Sequence, residues 1–182
     1  MRMMTAQCLR NAFAEESMSH MRYLIFSDQA GDENFPNTAR LFRAVAYADR
    51  VLASNHYRIV NEMLGDHPVC LTVPFIYERT VDNLEKSIIY KKILAEQVYP
   101  AYLSVSRADR ENGAEKNFIQ AIEAVLKHMR LLKCSYDTII RTAGEPAVSV
   151  YHVCTGCGDI EMAAPPQCGI CGIPGDKFHR ID

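Results

Sequence analysis

Gly65-Asp66-His67-Pro68-Val69-Cys70-Leu71-Thr72-Val73-Pro74-Phe75-Ile76-Tyr77-Glu78-Arg79-Thr80 is the stretch on which the fold turns. It is apolar, but two prolines punctuate it, so it reads as a connection and not as a helix. It is too long for a tight turn between neighbouring helices and predicts a crossover along a bundle. Upstream, residues 37–64 repeat apolar side chains at helical spacing: Leu41, Phe42, Val45, Ala48, Leu52, Ile59 and Met63. Residues 5–31 do the same through Leu9, Phe13, Met21, Leu24 and Ile25, with Gly31 as a stop and Pro36 in the turn that follows. Downstream, Thr80 and Asp82 are candidate caps for a third helix running to about Arg110. Pro100 lies inside it and predicts a kink. Gly113 breaks the chain, a fourth helix runs from about Ala114 to Thr142, and Gly144 with Pro146 closes it.

Two hairpin-like halves joined by one long crossover describe a mainly α fold, a ferritin-like four-helix bundle over residues 1–146. The composition changes after that. Residues 147–182 are rich in glycine and proline and too few to bury a core, so the segment needs a staple.

The cysteines supply it. Cys154-Thr155-Gly156-Cys157 and Cys168-Gly169-Ile170-Cys171 are two Cys-x-x-Cys pairs, each followed by glycine. Each pair bends the chain so that both sulfurs face one point, and the glycines let the backbone turn close to a metal. Two such knuckles predict a closed tetrahedral four-sulfur site, suited to zinc or a single iron. A closed site binds no substrate; it either moves electrons or holds the tail together. The other cysteines, Cys8, Cys70 and Cys134, are scattered and read as ordinary packing. An odd total of seven, with two tight pairs, argues against a disulfide framework and suits a reducing compartment.

Twenty basic and 22 acidic residues give a net charge of −2, which predicts neither a nucleic-acid surface nor a polybasic membrane patch. No apolar run approaches the roughly 20 residues that span a bilayer, and the first ten residues lack a signal-peptide core. A cytoplasmic protein is the expectation.

The chain resembles the rubrerythrins. The stretches that carry the resemblance are Ala12 to Ser17 with Arg22-Tyr23, Ala39 to Ala46, Asn55-His56, Asp82 to Glu85, Tyr99-Pro100, and the tail from Tyr151 to Phe178. Their order and their attachment to the cysteine tail are specific. The resemblance implies a ferritin-like bundle with a di-iron carboxylate centre and a rubredoxin-like tail holding one iron on four cysteines. It implies peroxide reduction with electrons passing from the tail. It also implies a homodimer in which one chain's tail lies near another chain's bundle.

The di-iron ligands do not carry over intact. Glu16 fits the family position on the first helix. The second-helix Glu-x-x-His pair becomes Asp49 and Leu52. The third-helix Glu-x-x-Glu pair becomes Lys91 and Leu94, and the fourth-helix Glu-x-x-His pair becomes Val125 and His128. Glu16, Asp49 and His128 survive. A buried carboxylate cluster without its metals repels itself, so Lys91 is expected to replace the metal charge and pair with Glu16 and Asp49. Leu52, Leu94 and Val125 then extend the core. A rearranged metal site drawing on Glu16, His20, Asp49, His56 and His128 is the competing expectation. Tyr23, Tyr47 and Tyr99 are expected to line the interior. Tyr151 and Phe178 are expected to pack over the knuckles.

The leading expectation is an electron-transfer protein with one iron at Cys154, Cys157, Cys168 and Cys171, zinc being the other metal the site suits, and no di-iron centre. Its partner would be a reductase or another rubrerythrin. The alternatives are a divergent peroxide reductase and a binding protein with structural zinc.

Overall fold

Three of the bundle's helix N-termini are capped by carboxylates that follow the ends of other helices, and these contacts fix the bundle's topology. The computed structural model describes residues 1–60, 68–69, 77–148 and 150–182. Helices α1 (Met3–Asp32) and α2 (Pro36–Val60) form the first hairpin. The third bundle helix is α3 (Thr80–Ile93), a π-helical turn (Leu94–Val98) and α4 (Tyr99–Ala108) in succession, and α5 (Asn112–Thr142) is the fourth.

At one end of the bundle, the Asp109 carboxylate accepts from the Thr5 N–H and hydroxyl. At the other end, Glu145 accepts from the N–H groups of Asn37 and Thr38, and Glu33 accepts from the Thr80 N–H at 3.0 Å. Each carboxylate satisfies orphan donors of a helix N-terminus and meets its positive dipole end. The start of α3 therefore lies beside the start of α2. The segment between them joins opposite ends of the bundle, as a ferritin-like crossover requires. Most of that segment, including Pro74 and Cys70, lies outside the described residues, as do Met63 and Gly65.

Three expected signals are replaced by others. Thr80 and Asp82 make no side-chain cap, since Glu33 does that work from α1. Gly31 and Gly113 lie inside helices, and the left-handed turns fall at Asn34, Arg110 and Ala143 instead. The disturbance expected from Pro100 takes the form of the π turn before it, with Pro100 in the first turn of α4, where its missing N–H is tolerated.

The apolar interior falls into two parts. One is built on Tyr23, Phe26, Leu41, Phe42, Leu84 and Leu132, and the tail adds Tyr151, Val153 and Ile160 to it. The other holds Leu9, Leu52, Leu94, Tyr99, Phe118 and Val125. On each helix the residue between the two parts is polar and fully buried: Glu16, Asp49, Lys91 and His128. The tail is a three-stranded antiparallel sheet in the order β2-β1-β3, where β1 is Tyr151–Cys154, β2 is Ile160–Glu161 and β3 is Phe178–Ile181. Among the described residues, no helix is long and apolar enough to cross a membrane.

Candidate metal centre

The sheet places the two cysteine knuckles face to face. β1 ends on Cys154, and Gly158 N–H returns to the Cys154 carbonyl at 2.9 Å. The second knuckle repeats that closure from Gly172 N–H to the Cys168 carbonyl at 3.0 Å. Both glycines adopt positive φ, +76° and +78°, a conformation other residues enter at a cost. The ligand sulfurs of Cys154, Cys157, Cys168 and Cys171 all lie within 4.8 Å of one another, with two of the separations at 3.5 Å. A tetrahedron of metal–sulfur bonds of about 2.3 Å has edges of about 3.8 Å, so the donor set fits one ion. Cys154, Cys157 and Cys168 are buried and Cys171 is partly exposed. The hydrogen bond between Cys154 and Cys157 lowers the Cys154 thiol ahead of the opposing effect of burial and raises Cys157, so the pair holds on to one proton that metal binding would release.

Around the sulfurs, Ile170, Ile173 and Phe178 form the apolar cover. Tyr151, expected in that cover, packs into the bundle core instead, because the alternation of β1 turns it with Val153 toward the helices. Tyr47, expected inside the bundle, lies at the tail junction. Its ring stacks on His179 at 4.3 Å and carries the Arg50 guanidinium at 4.4 Å on a ring face.

The tail docks on its own chain's helices α2 and α5 through the loop after the first knuckle. Asn55 donates to the Gly156 carbonyl at 2.7 Å, and His128 Nε2 to the Gly158 carbonyl at 2.7 Å. Lys127 bridges the Asp159 and Glu161 carboxylates at 2.8 and 2.6 Å. A Cβ on Gly158 would stand 2.9 Å from the Ala48 carbonyl of α2. Gly158→Ala is therefore expected to cost about 1–3 kcal/mol through strain and lost docking, read as a lower melting temperature of the metal-loaded protein. An unchanged melting temperature would show that the loop does not need this approach.

Inside the bundle, Lys91 Nζ lies 2.7 Å from Asp49 Oδ1 and 3.4 Å from Glu16 Oε2, all three side chains fully buried. Tyr99 donates to Glu16 Oε1. Burial opposes the Lys91 ammonium, but Asp49 and Glu16 outweigh it and hold its pKa above the usual lysine value. Burial first, then the Glu16 charge, raises the Asp49 carboxyl well above its ordinary range against the pull of Lys91. The two partners' shifts describe one arrangement: an ammonium facing two carboxyl groups, one of which tends to keep a proton. His128 is pushed down to about 3 by burial and then by Lys91, so it is neutral; with Nε2–H given to Gly158, its Nδ1 is a bare acceptor 4.0 Å from Asp49 Oδ1.

Leu52, Leu94 and Val125 are buried beside this cluster and offer no donor atom. His20 bonds the Ala46 carbonyl through Nδ1, and His56 pairs with Asn117. Among the described residues, the only group of three or more His, Cys, Asp or Glu ligand atoms that converge as a metal site requires is the four cysteines. Sequence reasoning singled out Asn55 only as part of the family resemblance, without its docking role, and missed Lys127 and Asn117. Their signal lies in packing between distant segments, and no local motif marks it.

A four-helix bundle with a long crossover, an interior polar layer and a four-cysteine sheet at its C-terminus defines a ferritin-like protein with a rubredoxin-like tail. The rubrerythrin family model matches residues 7–136, and the chain belongs to the rubrerythrin family. It is 38% identical over 179 residues to Rubrerythrin-2 of Clostridium acetobutylicum, across 98% of this chain and 97% of that one. It is 26% identical to nigerythrin of Nitratidesulfovibrio vulgaris, across 96% of this chain and 85% of that protein. The structure of fully reduced, all-ferrous nigerythrin superposes with a TM-score of 0.85 at 26% identity, covering 97% of this chain and 86% of that one.

Proposed function

We propose that this chain is a rubrerythrin-family electron-transfer protein that holds one iron at Cys154, Cys157, Cys168 and Cys171 and has given up the di-iron centre. The observation that carries this reading is the Lys91 ammonium between Asp49 and Glu16, at 2.7 and 3.4 Å. A cation supplied by the chain balances the carboxylates there, and a second cation in the same layer would be repelled by it. Leu52, Leu94 and Val125 remove three further donors. In the tail, a bound iron would supply reversible one-electron exchange. Cys154, Cys157, Cys168 and Cys171 would ligate it, and Ile170, Ile173 and Phe178 would keep water from the sulfurs. Partly exposed Cys171 gives a redox partner its nearest approach. That partner is a reductase or an intact rubrerythrin, and the chain works as a homodimer in the cytoplasm.

A second reading, a peroxide reductase with a rearranged bundle metal, draws on three buried atoms with no hydrogen-bond partner among the described residues: Asp49 Oδ2, His56 Nε2 and His128 Nδ1. Metal analysis with a visible spectrum separates the readings. About one iron per chain with ferric-thiolate charge-transfer bands is the expected result, following from a closed four-sulfur site. Two or three irons per chain with oxo-bridged absorption would put the peroxide reductase first. Zinc alone, after growth with iron available, would leave a structural tail.

A further inference from the structure

The histidine that the family resemblance assigns to the lost centre is still present, still buried, and bonded to the tail. Its acceptor is the carbonyl of Gly158, the residue after Cys157. That carbonyl and the Asp159 N–H belong to one peptide unit. A trans peptide is planar, so its C=O and N–H point in opposite directions, and fixing one aims the other. The Asp159 N–H faces the Cys157 sulfur. A peptide that accepts a hydrogen bond at its oxygen is also polarised into a better donor at its nitrogen.

We infer that His128 is a positioning residue for the tail's metal: its Nε2–H holds the Gly158–Asp159 peptide so that the Asp159 N–H serves the Cys157 sulfur and raises the site's reduction potential. The inference rests on the reading of the tail as an iron site. The balance is that of one electron taken from a reductase protein, with ferric iron becoming ferrous and no bond to sulfur broken. The four-thiolate site becomes one unit more negative on reduction, so an N–H aimed at sulfur stabilises the reduced form more than the oxidised one. Three features keep the peptide in place. Gly158 has the positive φ that turns its carbonyl toward α5, its Cα lies against the Ala48 carbonyl, and Lys127 clamps the Asp159 carboxylate at 2.8 Å. Beside these three, the His128 bond is the one side-chain hydrogen bond among the described residues that acts on the carbonyl itself.

The test is the midpoint potential of the iron-loaded full-length chain in three variants. His128→Leu removes the donor and is expected to shift the reduction equilibrium about tenfold toward ferric iron, a fall of about 59 mV for a one-electron couple. His128→Gln keeps an N–H of similar reach and should retain most of the wild-type potential. Tyr47→Leu removes a different tail contact, the stack on His179 in β3, which bonds no peptide of either knuckle, and should leave the potential near wild type. Equal potentials in His128→Leu and wild type would overturn the inference. An equal fall in Tyr47→Leu would also overturn it, by showing that docking alone sets the potential. A second measurement needs neither iron nor redox activity. With cadmium-113 in the tail, a scalar coupling from the metal to the Asp159 amide proton reports the N–H···S contact. Its presence in the wild type supports the inference, and its absence overturns it even if His128→Leu does not fold. If the wild-type tail holds iron that never cycles, the electron-transfer reading fails, while retention of the cadmium coupling in His128→Gln and its weakening in His128→Leu still decide the role of His128.

Discussion

Lys91→Met is expected to lower the unfolding free energy by about 3–5 kcal/mol near about pH 8, because it leaves buried carboxylates with no counter-charge. The variant keeps an unbranched four-atom stem and loses the ammonium, which bonds Asp49 Oδ1 at 2.7 Å and reaches Glu16 Oε2 at 3.4 Å. Urea denaturation measures the loss. The deficit has a predicted pH dependence. The folded-state pKa of Asp49 is raised above the ordinary 3.8. A carboxyl of that kind takes up a proton in the folded state at a pH where the unfolded chain does not. Its stabilising contribution is complete below the unfolded value and is lost as pH rises through the folded one. Without Lys91 the raised value moves higher still. The deficit of the variant should therefore shrink as the pH falls toward about 5, where protonation removes the unpaired charge. A deficit that stays constant with pH would mean that the loss comes from packing and not from charge. Replacing the whole cluster, Glu16→Leu, Asp49→Leu and Lys91→Met together, should recover most of the stability, since buried ion pairs seldom outdo a well-packed apolar layer.

Stripping the tail of its metal is the second large effect. The tail's own cluster is little more than the cysteines with Ile170, Ile173 and Phe178, so the metal supplies what a core would. Structural metal sites of this kind contribute about 10–16 kcal/mol of binding free energy to folding. A chelator, or Cys168→Ser, is expected to unfold the tail, exposing Lys177 and Arg180 to rapid tryptic cleavage. The helical circular dichroism should persist, because both apolar parts of the bundle are built mainly from helix residues. Its melting temperature should fall, since Asn55, Lys127 and His128 lose their partners in the tail at about 0.5–1.5 kcal/mol for each neutral hydrogen bond. Slow cleavage of the metal-free chain would show that the sheet folds on the bundle alone.

The sequence made the bundle legible because helical periodicity is a local signal: Leu41, Phe42, Val45, Ala48 and Leu52 mark one face without reference to any other segment. The four cysteines were legible for the same reason, since the spacing of each pair is itself the geometry of the site. Lys91 was legible by a different route, as a cation at a position where the resemblance demanded a carboxylate. The helix caps were not. Glu33, Asp109 and Glu145 cap helices that begin elsewhere in the chain, and nothing near Thr80 announces the carboxylate that reaches it. Glycine was also a poor guide to the turns, because Asn34, Arg110 and Ala143 adopt positive φ when neighbouring helices over-determine the turn. The docking of the tail was hidden for the same reason, as it joins Asn55 and His128 to backbone carbonyls that carry no side-chain signature.

The π turn at Leu94–Val98 sets the rotational phase of everything after it. In an unbroken α-helix the buried stripe through Lys91, Leu94 and Ala95 would continue at position 98. Here Val98 is half-buried and the stripe resumes at Tyr99. The extra residue delays the helix by about 100°, the angle of one α-helical step. Tyr99 thereby reaches Glu16, and α4 presents its inward face in step with α3. The third helix is thus two segments kept in register by one surplus residue. Winding that turn into a regular α-helix with all its residues kept would alter no side chain of the polar layer, yet it would carry the hydroxyl that completes it about 100° around the helix, whereas deleting one of the exposed residues Glu96 or Gln97 would leave Tyr99 facing inward.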